Sequence, residues 1–549
     1  MKRFRPAQTK VYATSSLIGD DQPGAAVATV DAKLGSKSQL YAGRATKRVD
    51  VSLLLVVPEV ILDQYLHPDL TFRHRWIIND EGLGEAKKKA MWSTGCTASI
   101  ISGLLFFVGK CLSESQASNS GEDSMKIATT KFVMRRGSVS VVALVVLVGL
   151  ACAQSSPKSI APPQASTGGL KHYDIKLADL PAPEVMTGPR NQSKVIPRPE
   201  GAELQVPPGF QISVYAEGEF QQPRGLLQAS NGDVFVAESQ PNRISMLRDS
   251  NNDGKVDERF VFATGLNRPF GLAIWRDYLY VGNQNGIVRF KYKPGQTKAE
   301  GEPEKLVDLP AGQGHWTRNV LFNQAGTKMY VAVGSGSNVN AGEPPIRAAI
   351  SEFNPDGTGH RIFASGTRNP VGLAWNPATK QLWAAVEERD LIGNDLVPEY
   401  VTSIKEGAFY GWPYAYLGQN EDPRRKGEQP DLVKKAIVPD VLIQAHSAVL
   451  GMAFYEGKMF PSDFQGDAFV ALHGSWNRES RTGYKIIRIK FKNGKPVGGY
   501  DDFVTGWMLG EDKPEVWGRP VSVLVLKDGS MLITDDGGNK VWRVTYSKK

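Results

Sequence analysis

One pattern recurs six times beyond residue 205 of this 549-residue chain: a polar residue or Arg, a small turn, an apolar strand, an Asn/Asp/Gly turn, then a second strand. Its first half occurs as Pro223-Arg224-Gly225-Leu226, Arg268-Pro269-Phe270-Gly271, His315-Trp316-Thr317-Arg318-Asn319, Arg368-Asn369-Pro370-Val371-Gly372, His446-Ser447-Ala448-Val449 and Trp517-Gly518-Arg519-Pro520-Val521. Its second half follows at similar offsets, as in NGDVFVAES from 231, TKQLWAAVEER from 379 and DGSMLITDDGG from 528, where a turn pair precedes alternating apolar residues. Starts about 45 to 55 residues apart over the first four units suit a four-stranded blade. The spacing predicts an all-β, six-bladed β-propeller with four-stranded antiparallel blades over 204–549, and long loops before units five and six. A sandwich of similar strands is the alternative; repetition of one unit favours radial closure.

In such a ring the innermost strands line a central funnel, so the residue at each repeat start faces one shared mouth. Those residues are Arg224, Arg268, His315, Arg318, Arg368, Asn369, His446, Trp517 and Arg519. Guanidinium, imidazole and amide groups gathered around one cavity are costly unless something anionic sits among them. The competing account is that single arginines merely bridge blades.

The net charge of +8 has to be located before it is given meaning. Residues 154–549 hold 46 Lys/Arg against 44 Asp/Glu, so the body of the chain is nearly neutral. No basic cluster interleaved with aromatics occurs, and a nucleic-acid partner is not expected. Residues 139–151 form an uncharged apolar run of 13, preceded by Lys126, Lys131, Arg135 and Arg136 and followed by Ala151-Cys152-Ala153. That is the order of a secretory signal, and it is too short to span a bilayer. Residues 125–153 therefore read as a signal peptide, with Met125 as the expected initiator, and the product as exported, periplasmic or extracellular. Residues 1–124 read as an upstream extension; a real domain or a membrane anchor is the alternative. Gly149-Leu150-Ala151-Cys152 is an imperfect lipoprotein box, so membrane association is expected only through a lipid on Cys152. Cys96, Cys111 and Cys152 are the only cysteines, so nothing after 153 can form a disulfide or bind haem covalently. Residues 154–203, rich in Pro and Ser without periodicity, read as a linker.

With these residues placed, the chain resembles the soluble pyrroloquinoline quinone (PQQ) dependent sugar dehydrogenases, in particular their sorbosone dehydrogenase-like branch. GHWTRNVLF from 314, SGTRNPVGLAW from 365, EERDLIGNDLVPEY from 387, YGWPY from 410, HGSWNR from 473 and WGRPV from 517 carry the resemblance. It implies PQQ and calcium as cofactors, a small sugar or sugar aldehyde as substrate, hydride transfer to the quinone C5, and an external electron acceptor. By the same resemblance His315 is the base, and Arg368 and Asn369 face the quinone. Arg519 and Arg224 clamp its carboxylates, and Arg318, His446, His473, Trp476 and Trp517 complete the cofactor set. The stretch Glu388-Arg389-Asp390 occupies the place of the calcium site, although the glucose-oxidising relatives carry Gly-Pro where this chain has Arg-Asp. A satisfied core histidine is the competing account of His315.

Asp249, Asn251, Asp253 and Asp257 form a separate candidate for calcium. They match the opening of an EF-hand loop, yet position twelve is Phe260 rather than Glu, and the same carboxylates can cap a turn without metal. Two rival functions share the fold: a calcium-dependent lactonase or esterase, whose axial metal is held by carboxylates and amides, and a non-catalytic sugar-binding propeller.

Overall fold

The second strand of each unit is its most continuously apolar stretch, and it lies where that composition is needed. In the computed structural model, which describes residues 170–186 and 191–548, the second strands Val234–Glu238, Met329–Val333, Ala468–Leu472 and Met531–Asp535 are buried at every position. A strand covered on both faces has no solvent side to alternate towards, so it reads as an unbroken apolar run. The outermost strands, such as Glu304–Asp308 and Arg361–Ser365, are largely solvated, with a single buried position each, Val307 and Ala364.

Six four-stranded antiparallel sheets result, as the repeats predict. Their innermost strands are Pro223–Gln228, Leu272–Trp275, Arg318–Phe322, Asn369–Trp375, Val449–Phe454 and Pro520–Val525. Each of these six touches the next, and the last touches the first. The ring is closed by mixing the ends of the chain: Phe210–Ala216 pairs with Lys540–Tyr546 and forms the outer edge of the sixth blade. Apolar clusters fill all six seams between blades. Phe235 and Leu279 pack between blades one and two, and Tyr455 and Trp542 between five and six. A seventh cluster, Phe270, Val371, Leu450 and Val521 beneath Trp316, takes one residue from each of four repeat starts and plugs the axis.

Part of the expected linker is structured. His172–Tyr173 adds a fifth strand to blade five, and Lys194–Val195 pairs in parallel with Glu515–Val516. The Tyr173 ring stacks on Tyr500 at 4.8 Å, and Arg198 lies 5.3 Å over Trp517. Aromatic and cationic side chains in a Pro-rich stretch are thus anchors that leave no periodic trace. The upstream extension, the signal segment, the cysteines and residues 154–169 lie outside the described residues. Among the described residues no helix is long and apolar enough to cross a membrane.

Candidate active site

Antiparallel register decides which residues meet at the funnel. Asn369 at the start of the fourth inner strand pairs with Glu387 at the end of the second, and Pro520 likewise pairs with Asp535. Residues just before an inner strand therefore gather with those just after the second strand. Arg368 meets Asp390 in this way, and Arg519 lies beside Asp536.

His315 stands at the centre of one side. Its Nδ1 lies 3.0 Å from both the carbonyl and the hydroxyl of Ser335. A carbonyl only accepts, so Nδ1 carries the proton, and Nε2 is left with its lone pair towards the funnel. Ser335 donates its own hydroxyl to the Ser337 carbonyl at 2.6 Å, which leaves its oxygen free to accept as well. Burial, reinforced by the nearby Arg368 charge, pushes the His315 pKa down to about 3. The ring is thus neutral near pH 7 and its tautomer is fixed. Glu387, whose carboxyl burial pushes up, lies 3.9 Å from Nε2 and accepts from Asn369 Nδ2 at 2.6 Å. A Cβ on Gly334 would collide with Asn369 Oδ1 and His315 Cβ, so glycine there is what allows the two to approach.

Arg368 is held from three directions. It donates to Asp390 Oδ2 at 2.8 Å, to Asn338 Oδ1 at 3.1 Å and to the Glu388 carbonyl. The other Asp390 oxygen accepts from Asn477 at 2.6 Å and faces His446 Nδ1 at 3.5 Å. Burial alone would raise Asp390, yet Arg368 and His446 more than offset it and hold the carboxyl well below the usual range. His446 is kept in place by the Gly393 carbonyl, 3.0 Å from Nε2, and it adopts a left-handed φ of 66°. A non-glycine residue pays about 1 to 2 kcal/mol for that backbone, a cost that recurs at site residues.

The facing side repeats this arrangement. Asp536 takes Arg224 at 2.5 Å on one oxygen and His473 Nε2 at 2.8 Å on the other. Here too the burial penalty is overcome by the neighbouring Arg224 and His473, and the Asp536 carboxyl is depressed. His473 is pushed down to about 4 by burial and by Arg519. Arg224 and Arg268 lie 5.2 Å and 4.1 Å over the Trp316 ring. Among the described residues neither Arg268 nor Arg519 has a carboxylate in ion-pair contact, and Arg224 Nε is buried without a partner. The same holds for Asn369 Oδ1 and Glu388 Oε1.

Three expected site residues belong elsewhere. Arg318 is fully buried, and its guanidinium binds the carbonyls of His315, Thr317 and Pro310. It opens the inner strand itself, paired with Val333, and so lies within the blade. Trp517 is buried in the seam of blades five and six, 5.9 Å from Trp542. The Arg389 side chain, also fully buried, binds Glu388, Asp422 and the Pro413 and Ala415 carbonyls and cannot ligate a cation. Trp476 is at the rim, 38% exposed. In the 249–257 loop, Asp257 accepts from the Ser250 and Asn251 amides, Asp249 from Gly254 and Asp253 from Lys255. These are turn-capping bonds. No group of three His, Cys, Asp or Glu able to hold a metal occurs among the described residues. Glu387, Asp536, Asn338 and Asn477 are site residues that reading the repeat starts alone does not find.

The closed ring and the residues gathered at one mouth define the class, a propeller with its chemistry at the axis. The chain belongs to the TrAA12-like family, whose model matches residues 204–406 and 419–547. The resemblance expected from the motifs is thus borne out at the level of the family, though not of its sorbosone dehydrogenase-like branch. The chain is 28% identical over 358 residues to an uncharacterised protein of Borreliella burgdorferi, covering 63% of this chain and 91% of the other. A PQQ-dependent pyranose dehydrogenase of Coprinopsis cinerea is 22% identical over 332 residues, 52% of this chain and 44% of that protein. The Trichoderma reesei enzyme of carbohydrate-active family AA12 superposes with a TM-score of 0.56 at 19% identity, over 64% of this chain and 99% of that one. The PQQ domain of the Coprinopsis cinerea pyranose dehydrogenase gives 0.54 at 19%, over 63% and 97%. At these identities the superpositions establish the fold.

Proposed function

We propose that the protein oxidises a sugar hydroxyl or hydrated sugar aldehyde with PQQ as cofactor. The observation that carries this is His315: a neutral imidazole of fixed tautomer, its Nε2 without a hydrogen bond among the described residues and 3.9 Å from Glu387, in a funnel with guanidiniums awaiting an anion. Arg519 and Arg268, without carboxylate partners, and Arg224, with its orphaned Nε, fit a tricarboxylate through charge-assisted bonds. When bound, PQQ supplies a two-electron sink that accepts a hydride from the sugar carbon. His315 Nε2 takes the hydroxyl proton as that transfer proceeds, and Ser335 steadies the proton on Nδ1. Arg368, fixed by Asp390 and Asn338, presents positive charge without needing to reorganise. Trp316 packs on the apolar cluster of Phe270, Val371, Leu450 and Val521, which gives the site an apolar floor.

Calcium is proposed as the accompanying ion. The buried, unpartnered Glu388 Oε1 is an oxygen a hard cation would take, with backbone carbonyls and cofactor oxygens completing its shell. Electrons are proposed to leave to an external acceptor, and export through the 125–153 segment belongs to the same reading. Reconstitution with PQQ and calcium, followed by a sugar panel with an artificial acceptor, tests it. A quinone absorbance that bleaches on adding sugar, with turnover lost on chelation, is the expected outcome. Binding of PQQ without bleaching by any sugar would overturn it.

A further inference from the structure

The segment before the first blade does more than decorate the ring. Glu184 and Met186 donate their amides to the carbonyls of Ile392 and Leu391, both at 3.1 Å. Asn191 donates its amide to the Trp476 carbonyl at 2.8 Å and its Nδ2 to the carbonyls of Arg478 and Glu479. Arg481, 1% exposed, returns two bonds to Asn191, at 3.0 Å on the carbonyl and 2.6 Å on Oδ1. Lys194 and Ile196 then pair with Pro514 and Val516. Two pieces of one segment thereby grip two different loops, 390–395 after the second strand of blade four and 473–483 after that of blade five. Those loops are also tied to each other. Arg478 reaches Asn394 and Asp395, at 3.1 Å and 2.6 Å, and Asn477 reaches Asp390 at 2.6 Å.

We infer that residues 184–186 and 191–196 are a brace for the sugar entrance, with Asn191 as a positioning residue acting through Trp476 and Asn477. Asn191 holds the backbone on both sides of Asn477, whose amide fixes the carboxylate that orients Arg368. The same bonds set Trp476, a large and partly exposed aromatic at the rim whose face suits the apolar side of a sugar ring. Loops that carry function and lack a strand of their own need such support, because their exposed backbone bonds open at low free-energy cost. The inference rests on the dehydrogenase reading for its kinetic consequence, while its structural consequence stands apart from it.

Asn191→Ala in the full chain tests it, beside Asn477→Ala and the double variant. Hydrogen exchange should quicken in 390–395 and 474–481 of Asn191→Ala while the six buried second strands keep wild-type protection. In the PQQ-reconstituted enzyme kcat/KM should fall by about ten- to a hundredfold, the scale of a site misplaced by about an ångström. Part of that loss should lie in KM for the sugar through Trp476. The kcat part should be shared with Asn477→Ala, so the double variant loses little more kcat than Asn477→Ala alone. Wild-type exchange in both loops overturns the brace whether or not any sugar is oxidised. Faster exchange with kinetic losses that simply add shows that Asn191 does not act through Asn477, which equally overturns the assignment. Should wild type fail to turn over, the exchange result alone decides the brace, and it is the function that has failed.

Discussion

Two Arg–Asp–His groupings face each other across the funnel, and they are not built alike. On the base side, Asp390 joins Arg368 and His446, and Arg368 is locked further by Asn338 and the Glu388 carbonyl. On the clamp side, Asp536 joins Arg224 and His473, yet among the described residues Arg224 keeps an unpartnered Nε, and the Arg268 and Arg519 guanidiniums have no carboxylate in ion-pair contact. One side has spent its hydrogen bonds on holding geometry; the other has kept donors in hand. A group that must stabilise charge developing in flight gains from being fixed beforehand, whereas one that must bind an anion gains from unsatisfied donors. Base side and clamp side should therefore fail differently.

The largest difference is expected from His315→Ala. Loss of a general base costs about 10² to 10⁴ in rate, and PQQ affinity should stay near wild type. Titration with PQQ followed by turnover at saturation checks this. Full restoration by excess cofactor would mean that His315 only helps to bind it, and the two sides would lose their distinction.

Arg389→Met asks whether a buried arginine beside the site belongs to either side. Its removal leaves Glu388 and Asp422, both fully buried, short of a partner, which costs about 3 to 5 kcal/mol of stability. Denaturant melts of the cofactor-free protein should register that loss. A variant as stable as wild type would return the arginine to the list of ligand-facing groups.

Arg519→Ala comes next, because it removes one donor from the clamp. Weaker PQQ binding by about 1 to 3 kcal/mol is expected, with turnover recovered at high PQQ. Turnover that stays low at saturation would place Arg519 in the chemistry.

How much of this the sequence discloses depends on where each residue sits relative to the repeat. Arg368 and Arg519 precede an inner strand, and Arg224 lies at the bulged start of another, so reading the repeat starts finds them. Arg318 looks equivalent, but the strand begins on it, and the ladder carries its side chain into the blade. Glu387 and Asp536 end or follow second strands; they were within reach of the same pattern once antiparallel register is applied to both halves of the unit. Asn338, Asn477 and Asn191 lie in loops that repeat nothing, and only long-range contacts place them. Tyr173 and Arg198 were hidden for a related reason, since an anchor needs one good contact and no periodicity.

The smallest effect concerns acid. His315 and His473 are pushed down from 6.5 to about 3 and about 4, so between these values and 6.5 the unfolded chain binds protons that the folded one refuses. Their contribution to stability is complete above about pH 6.5 and is lost as pH falls, by up to about 1.4 kcal/mol per pH unit for each proton. Glu387 and Glu399, both raised by burial, work in the opposite sense, binding a proton when folded that they release when unfolded. Net slope therefore decides nothing. The difference between wild type and His473→Gln does, because the glutamates and His315 largely cancel in it. Between pH 4.5 and 6 the variant should lose stability less steeply than wild type, by at most one proton's worth of slope. Asp390 and Asp536, depressed below the usual carboxylate range, matter only below about pH 4 and stay outside that window. Equal slopes in urea titrations across pH 4.5 to 6 would show that His473 is not held neutral, and the clamp side would then carry one more positive charge than its geometry implies.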